Sequence, residues 1–231
     1  SVTEVVNWLD AEFEACMQDM YQESYFDNDQ MRGVPTKGAA MAYRAKLWVY
    51  AASPLFNGSW EYGSSLVNVD GKKLFPDVSS KDEKIDKAVT CLKEFIEYAE
   101  AGRYALVNTG NPSEDLYNLF QEYNKEIIWA TTTNSWGSLG AEQFDGHATP
   151  KGEYKGLNGI DMLQELVDDF YCSDGKPIRN ESFMEASALY NETTWGKLPG
   201  SEYEVYGMYL NREPRVYNSV TVTCMTWPSS G

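Results

Sequence analysis

Two prolines, Pro35 and Pro54, frame the stretch TKGAAMAYRAKLWVYAAS, which constrains the fold more tightly than any other part of the chain. Proline fits the first turn of a helix and stops a helix that runs into it. The stretch therefore reads as one helix, begun at Pro35 and Thr36 and ended at Pro54. Ala39, Ala40, Ala42, Ala45, Ala51 and Ala52 keep it slim on several faces. Small residues let neighbouring helices approach closely, so this helix is expected between others, with Trp48 in their core. Gly38 to Phe56 is the most apolar run, but Arg44 and Lys46 stand inside it, so it reads as a packed helix and not a membrane span.

Helical periodicity recurs on both sides. Val2, Val5, Val6, Leu9, Phe13, Met17 and Met20 are spaced by threes and fours, with Trp8 read as a further core residue and Ser1 and Glu4 placed for a capping box. A third helix is expected over Lys81 to Ala101, with a Ser80–Glu83 capping box, an inward face of Ile85, Val89, Leu92, Phe95, Ile96 and Ala99, and a stop at Gly102. A short fourth covers Ser113 to Tyr123 and buries Leu116, Leu119 and Phe120. Alternating helices of these lengths read as tetratricopeptide-like helix pairs, although no 34-residue period can be written.

Near residue 126 the texture changes. EIIWATTT is β-branched and reads as a strand with Trp129 in the core. A long Gly-rich, polar and aromatic loop follows, of the kind that carries function. A short amphipathic helix over Ile160 to Phe170, helical patterns near Glu181–Tyr190 and Glu202–Leu210, and a strand-like run RVYNSVTVTCMTW complete the chain. The fold class is therefore mainly α. Residues 1–125 are expected as a tetratricopeptide-like scaffold, and 126–231 as a loop-rich ligand-binding half with a few short strands. A helical start and an apolar strand-like end make the chain read as a segment of a longer protein.

Charge and composition exclude several function classes. Nineteen Lys and Arg against 35 Asp and Glu give a net charge of −16 over 231 residues, which repels nucleic acid and anionic lipid. His147 is the only histidine, so a multi-histidine metal site and HExxH are ruled out. There is no GxSxG, no P-loop and no GxGxxG, and nothing calls for a cofactor. Asp27 and Asp29 resemble the start of a calcium loop whose remaining ligands are missing, so that segment reads as a solvated loop. Cys16, Cys91, Cys172 and Cys224 form no CxxC and read, for the most part, as buried thiols.

Three collinear motifs carry a resemblance. RGVPTKGAAMAYRAKLWVYAASPLFNG (Arg32–Gly58), GIDMLQELVDDFYCSDGKPI (Gly159–Ile178) and NREPRVYNSV (Asn211–Val220) are similar in order and spacing to signature stretches of the SusD/RagB family. Two departures are small: Ile160-Asp161-Met162 stands where Pro-Thr is usual, and Glu213 where Asp is usual. The resemblance implies an α-rich fold and a non-catalytic, lipid-anchored outer-membrane protein of Bacteroidetes. Such a protein captures an oligosaccharide or polysaccharide, less often a peptide, and passes it to a SusC-like TonB-dependent transporter. Family members are longer, and the implied lipid anchor lies outside this chain. Cys16, set in a helical pattern, is not the acylated cysteine.

Aromatic residues make up 14% of the chain, which suits sugar recognition. A pyranose ring offers a face of C–H groups to an aromatic plane, and its hydroxyls need amide, carboxylate or guanidinium partners. Trp136 in the long loop is the first candidate contact, followed by Trp195 and by Trp60 with Tyr62, with Asn134, Gln143 and Tyr154 as polar companions. Two rivals stand beside this reading. A glycoside hydrolase needs two carboxylates about 5–10 Å apart, one with a raised pKa. The adjacent Asp168 and Asp169 point in different directions and read as solvated. A protein–protein adaptor would use the helix pairs alone.

Overall fold

The structure, a computed structural model, describes residues 1–22, 32–131, 146–151, 156–198 and 201–222. It is mainly helical. Two compact units interleave along the chain: Ser1–Val107 with Glu122–Thr132, and Asn108–Gln121 with Thr133–Gly231.

The first unit is built on α1 (Val2–Cys16), α2 (Lys37–Ala52) and α3 (Lys81–Tyr98), and α2 packs against both of the others. The Thr36 hydroxyl accepts from the Ala39 amide to start α2, and Ser53 leaves the helix in extended backbone just before Pro54. Ala39, Ala40, Ala45 and Ala51 are buried, and Trp48 joins Val6, Ala45, Ala51, Ala88 and Cys91 in one core. Gly38 is required by close approach: a Cβ there would lie 2.2 Å from the Tyr104 hydroxyl.

A polar network crosses this core. The Arg44 guanidinium, 8% exposed, reaches from α2 to Asp10 and Glu14 on α1 and to Glu94 on α3. Trp48 Nε1 donates to the same Asp10 carboxylate at 2.8 Å. Burial pushes the Asp10 pKa up, but the hydrogen bonds from Arg44 and Trp48 outweigh it and hold the group below its ordinary 3.8.

Several expectations are corrected here. On α1 the Ser1–Glu4 capping box forms and Val6 is buried, but Val5 and Trp8 are 55% and 61% exposed. The line Val2–Val6–Asp10 faces α2, because Asp10 must meet Arg44, and that turns Trp8 outward. On α3 the buried stripe is Lys84, Ala88 and Cys91, while Ile85, Val89, Leu92 and Ile96 are 39–51% exposed. The Lys84 ammonium donates to the Phe56 carbonyl at 2.7 Å, a tertiary partner that fixes which face turns inward. The Ser80–Glu83 capping box is absent: Ser80 ends a 3-10 turn that runs into α3, and its hydroxyl donates to the Asp77 carbonyl. The helix gives way at Ala99–Arg103 to a wider turn closed by Gly102 at φ 89°.

EIIWATTT forms no strand over its described residues. Single anchors hold it instead. Glu126 accepts from the Val107 amide at 2.7 Å, and Trp129 donates to the Gly33 carbonyl at 2.7 Å. Trp129 stands edge-on to Tyr43 and is 46% exposed, so it is not a core residue.

After α2, buried Asn57 donates to the Ala52 carbonyl and accepts from the Ser59 amide, which turns the chain at Gly58. Gly58 has φ +92°, and a Cβ on it would fall 2.4 Å from the Asp77 carbonyl carbon. A left-handed L residue costs roughly 1–2 kcal/mol before any clash. Gly58→Ala is expected to destabilise the chain by about 2–3 kcal/mol, seen as a lower urea midpoint. An unchanged midpoint would refute this account of the turn.

The second unit holds α4 (Pro112–Leu119), α5 (Gln164–Asp168), α6 (Pro214–Ser219) and an antiparallel pair, β1 (Trp195–Lys197) and β2 (Glu204–Tyr206). α4 packs on α6, and Asn218 donates to the Ser113 carbonyl at 2.6 Å. The fourth helix is shorter than expected and Phe120 is 79% exposed. The helix expected over Ile160–Phe170 contracts to α5. Residues 181–190 form turns, where the Asn180 and Ser187 side chains take backbone amides that a helix would use. Residues 202–210 form β2 and a 3-10 turn. The strand-like RVYNSV is helical because Pro214 presets the first turn. The core collects Val167, Cys172, Ile178, Leu198, Val205 and Val216 around buried Arg212. Cys91 and Cys172 are buried free thiols and Cys16 is exposed. Asp27, Asp29 and Cys224 lie outside the described residues.

Candidate functional site

The β1–β2 hairpin places two aromatic rings in water by simple alternation. Successive strand residues point to opposite faces. Gly196 and Val205 face inward, and Val205 is fully buried. Trp195, Lys197, Glu204 and Tyr206 therefore share the outer face, with Trp195 opposite Tyr206 and Lys197 opposite Glu204. The Trp195 and Tyr206 rings lie 5.4 Å apart and are inclined at 58°, and the residues are 62% and 36% exposed.

Glycine and asparagine hold this platform from below. A Cβ on Gly196 would fall 2.7 Å from Leu210 Cδ1, and one on Gly207 would fall 2.1 Å from the Asn191 carbonyl. Asn191 Oδ1 accepts from the Thr193 amide and hydroxyl, and the Gly207 amide donates to the Thr194 carbonyl at 2.7 Å. Tyr190 donates its hydroxyl to Glu192 at 2.8 Å. Burial first, then that carboxylate, pushes the Tyr190 pKa well above its ordinary value, so the hydroxyl stays a donor.

The other expected contacts fall elsewhere. Trp60 belongs to the first unit and is half-buried, edge-on to Tyr62 and to Phe75, which in turn stacks on Phe56. Tyr62 is 65% exposed beside it. Trp136, Asn134, Gln143 and Tyr154 lie outside the described residues. The structure thus brings Trp60 and Tyr62 together, and pairs Trp195 with a residue sequence reasoning missed, Tyr206. The signal was present: WGK and EVY flank the six residues Leu198–Tyr203, which carry Pro, Gly and Ser, a hairpin pattern in the sequence.

The described residues also line two concavities. The first unit has one of about 450 Å³ between Phe95, Tyr104, Leu106 and Ile128, with Glu100 and Glu126 at its edge. The second unit has one of about 230 Å³ beside α5, lined by Asp168, Asp169, Tyr171, Ile178, Arg179 and Phe183 among others.

Asp168, expected as solvated, is bound to Arg179 and accepts from Gln164 at 2.7 Å, with its side chain 16% exposed. A general acid needs a raised pKa. Among the described residues the carboxylates clearly displaced from their ordinary values, Glu4 and Asp10, are both lowered, Glu4 to about 2 by its hydrogen bond from Lys72 first. Among the described residues no cluster of three His, Cys, Asp or Glu side chains is placed to hold a metal, and no helix is long and apolar enough to cross a membrane.

The exposed Trp195–Tyr206 pair on the hairpin offers a surface to a ligand. Residues 125–230 match the SusD family model. The match contains the second and third sequence motifs. No curated protein matches significantly. Among solved structures the chain is similar to BT4246, with TM-score 0.68 and 21% identity over 92% of this chain and 40% of that one. It is also similar to a SusD-like protein (BF3747) from Bacteroides fragilis NCTC 9343, with TM-score 0.54 and 18% identity over 94% of this chain and 34% of that one. The chain therefore spans two fifths or less of the length of these structures, and the likeness at such identities is one of fold. The family match over residues 125–230 and the likeness of fold over nearly the whole chain are thus two separate findings.

Proposed function

We propose that this chain is the glycan-binding part of a SusD-type capture protein, non-catalytic, lipid-anchored at the outer membrane of a Bacteroidetes cell, and partnered by a SusC-like TonB-dependent transporter. The family match supports carbohydrate binding in general. The observation that carries the reading to particular residues is the Trp195–Tyr206 pair, two inclined rings facing water on a hairpin whose other face is buried. A sugar ring laid on Trp195 removes apolar area from water on both sides. Lys197 and Glu204 stand next along the same face as a donor and an acceptor for ring hydroxyls. Trp136, with Asn134, Gln143 and Tyr154, is proposed as a further contact on residue chemistry alone, and Trp60 with Tyr62 as a third.

The test is affinity electrophoresis of the chain in gels containing a panel of neutral and acidic polysaccharides. At least one polysaccharide should retard the wild type. Trp195→Ala should weaken that binding about thirtyfold, the roughly 2 kcal/mol of an anchoring aromatic. Trp195 is mostly exposed, so the variant should keep its circular dichroism. Retardation untouched by Trp195→Ala would remove the hairpin from the site and move the assignment to Trp136. No retardation by any glycan would favour the adaptor reading, for which the exposed line Ile85, Val89, Leu92 and Ile96 on α3 is the place to look.

A further inference from the structure

We propose that the concavity beside α5 is a second, separate sugar subsite that takes one neutral ring. The inference rests on the glycan-binding reading and extends it to a site that the hairpin does not touch. At about 230 Å³ the space lies below the roughly 300 Å³ at which pockets for drug-sized ligands begin, so it suits a single ring. Its floor is apolar, made by buried Pro177 and Ile178. Tyr171 and Phe183 stand among its walls, and Phe183 is 71% exposed. An apolar floor with aromatic sides matches the C–H face of a pyranose.

The rim is polar and mostly acidic. Arg179 is bound to Asp168, which neutralises both, and its remaining N–H groups are left to donate. Asp169 and Glu181 add two carboxylates able to accept from neighbouring hydroxyls. The lining therefore carries net negative charge and disfavours a uronate or a sulfated sugar.

The walls are set without a ligand. Tyr171 is held by a reciprocal pair: its amide donates to Glu213 Oε1 at 2.8 Å and its carbonyl accepts from the Glu213 amide at 3.0 Å. The Phe183 turn is closed by the Glu181 amide on the Met184 carbonyl at 2.8 Å and by the Ala186 amide on Asn180 Oδ1 at 2.9 Å. The floor is fixed by the Ser187 amide on the Pro177 carbonyl at 2.8 Å and by the Ser187 hydroxyl on Asp174 at 2.9 Å. Little ordering is left for binding to supply, which favours occupation even by a small ligand.

The experiment is saturation-transfer NMR of the chain with the methyl glycosides of glucose, galactose, mannose and N-acetylglucosamine, with methyl glucuronide and tetramethylammonium as controls. At least one neutral glycoside should receive transfer. The signal should persist in Trp195→Ala and fall at least tenfold in Phe183→Ala and in Asp169→Ala. Both substituted side chains are exposed, so each variant should keep the wild-type circular dichroism. The proposal is overturned by no transfer to any glycoside, by transfer that survives Phe183→Ala, or by a control that binds better than every neutral sugar. Polysaccharide retardation lost in Trp195→Ala but unchanged in Phe183→Ala removes this subsite and leaves the hairpin. Transfer lost in Phe183→Ala with no polysaccharide retarded does the reverse.

Discussion

Arg212→Leu should lower the stability of the second unit by about 4 kcal/mol, the scale for removing one partner of a buried charged network. Arg212 is 2% exposed. Its guanidinium donates to the Met208 carbonyl at 2.9 Å and to the Val167 and Phe170 carbonyls at 2.6 and 2.7 Å. The Val167 and Phe170 carbonyls lie at and just beyond the end of α5, where the helix ladder runs out; Val167 keeps only a long bond from the Phe170 amide at 3.4 Å and the α5 cap contact. Leucine fills part of the volume but leaves three carbonyls without that donor, at about 1–3 kcal/mol for each that water does not reach. Arg212 Nε has no partner of its own, which discounts the native gain and keeps the expected loss from being larger. Lysine would not rescue, because a single ammonium cannot span the three acceptors as the planar fork does. The readout is local. Cys172, 1% exposed, pairs by a backbone bridge with Arg212 itself. Maleimide labelling followed by mass spectrometry should find Cys172 reactive in the variant while Cys91 of the first unit stays protected. Equal protection of Cys172 in variant and wild type would show that Arg212 does not hold this core.

The arginines show why part of the structure was legible and part was not. The bounds of α2 were readable because proline and small residues act locally, through steric rules that need no partner. Its place between two helices followed from the same alanines. The face of α3 was not readable. Its strongest hydrophobics form one stripe, yet the buried stripe is the adjacent one, selected by Lys84 reaching a carbonyl across the core. β-propensity misled twice. EIIWATTT has β-branched residues but no described ladder, and RVYNSV yields to the fixed φ of Pro214. In the candidate site, Trp195 was found by its polar surroundings. Tyr206 was missed because each strand is three residues long, too short for periodicity to register. The sugar subsite rests on side chains brought together from α5 and the turns beyond it, a juxtaposition that no local pattern encodes.

Arg44→Met should cost about 3–4 kcal/mol and, more tellingly, weaken the acid dependence of the first unit. In the wild type the Asp10 pKa is held below 3.8 in the folded state. A group with a depressed folded pKa binds its proton more readily when unfolded, so it contributes stability above its unfolded value. That contribution is lost as the pH falls from about 4 through the folded pKa. Methionine removes the Arg44 hydrogen bond and charge but leaves Asp10 buried, with Trp48 Nε1 as its remaining donor. Burial, the largest single influence on this carboxyl, is then opposed by Trp48 and Lys87 without Arg44, and the folded pKa rises. The stability that Asp10 loses on protonation shrinks with it. Urea midpoints followed between pH 3 and 6, with Cys91 labelling as the reporter for this unit, should therefore fall less steeply toward acid in Arg44→Met than in the wild type, the lowered Glu4 adding its own decline to both. Asp10→Asn in the Arg44→Met background should flatten the profile and recover part of the lost stability, because a neutral amide needs no counter-charge. Parallel acid profiles in wild type and Arg44→Met would mean that Asp10 is not the group Arg44 holds ionised, and that the three helices are joined by apolar packing alone.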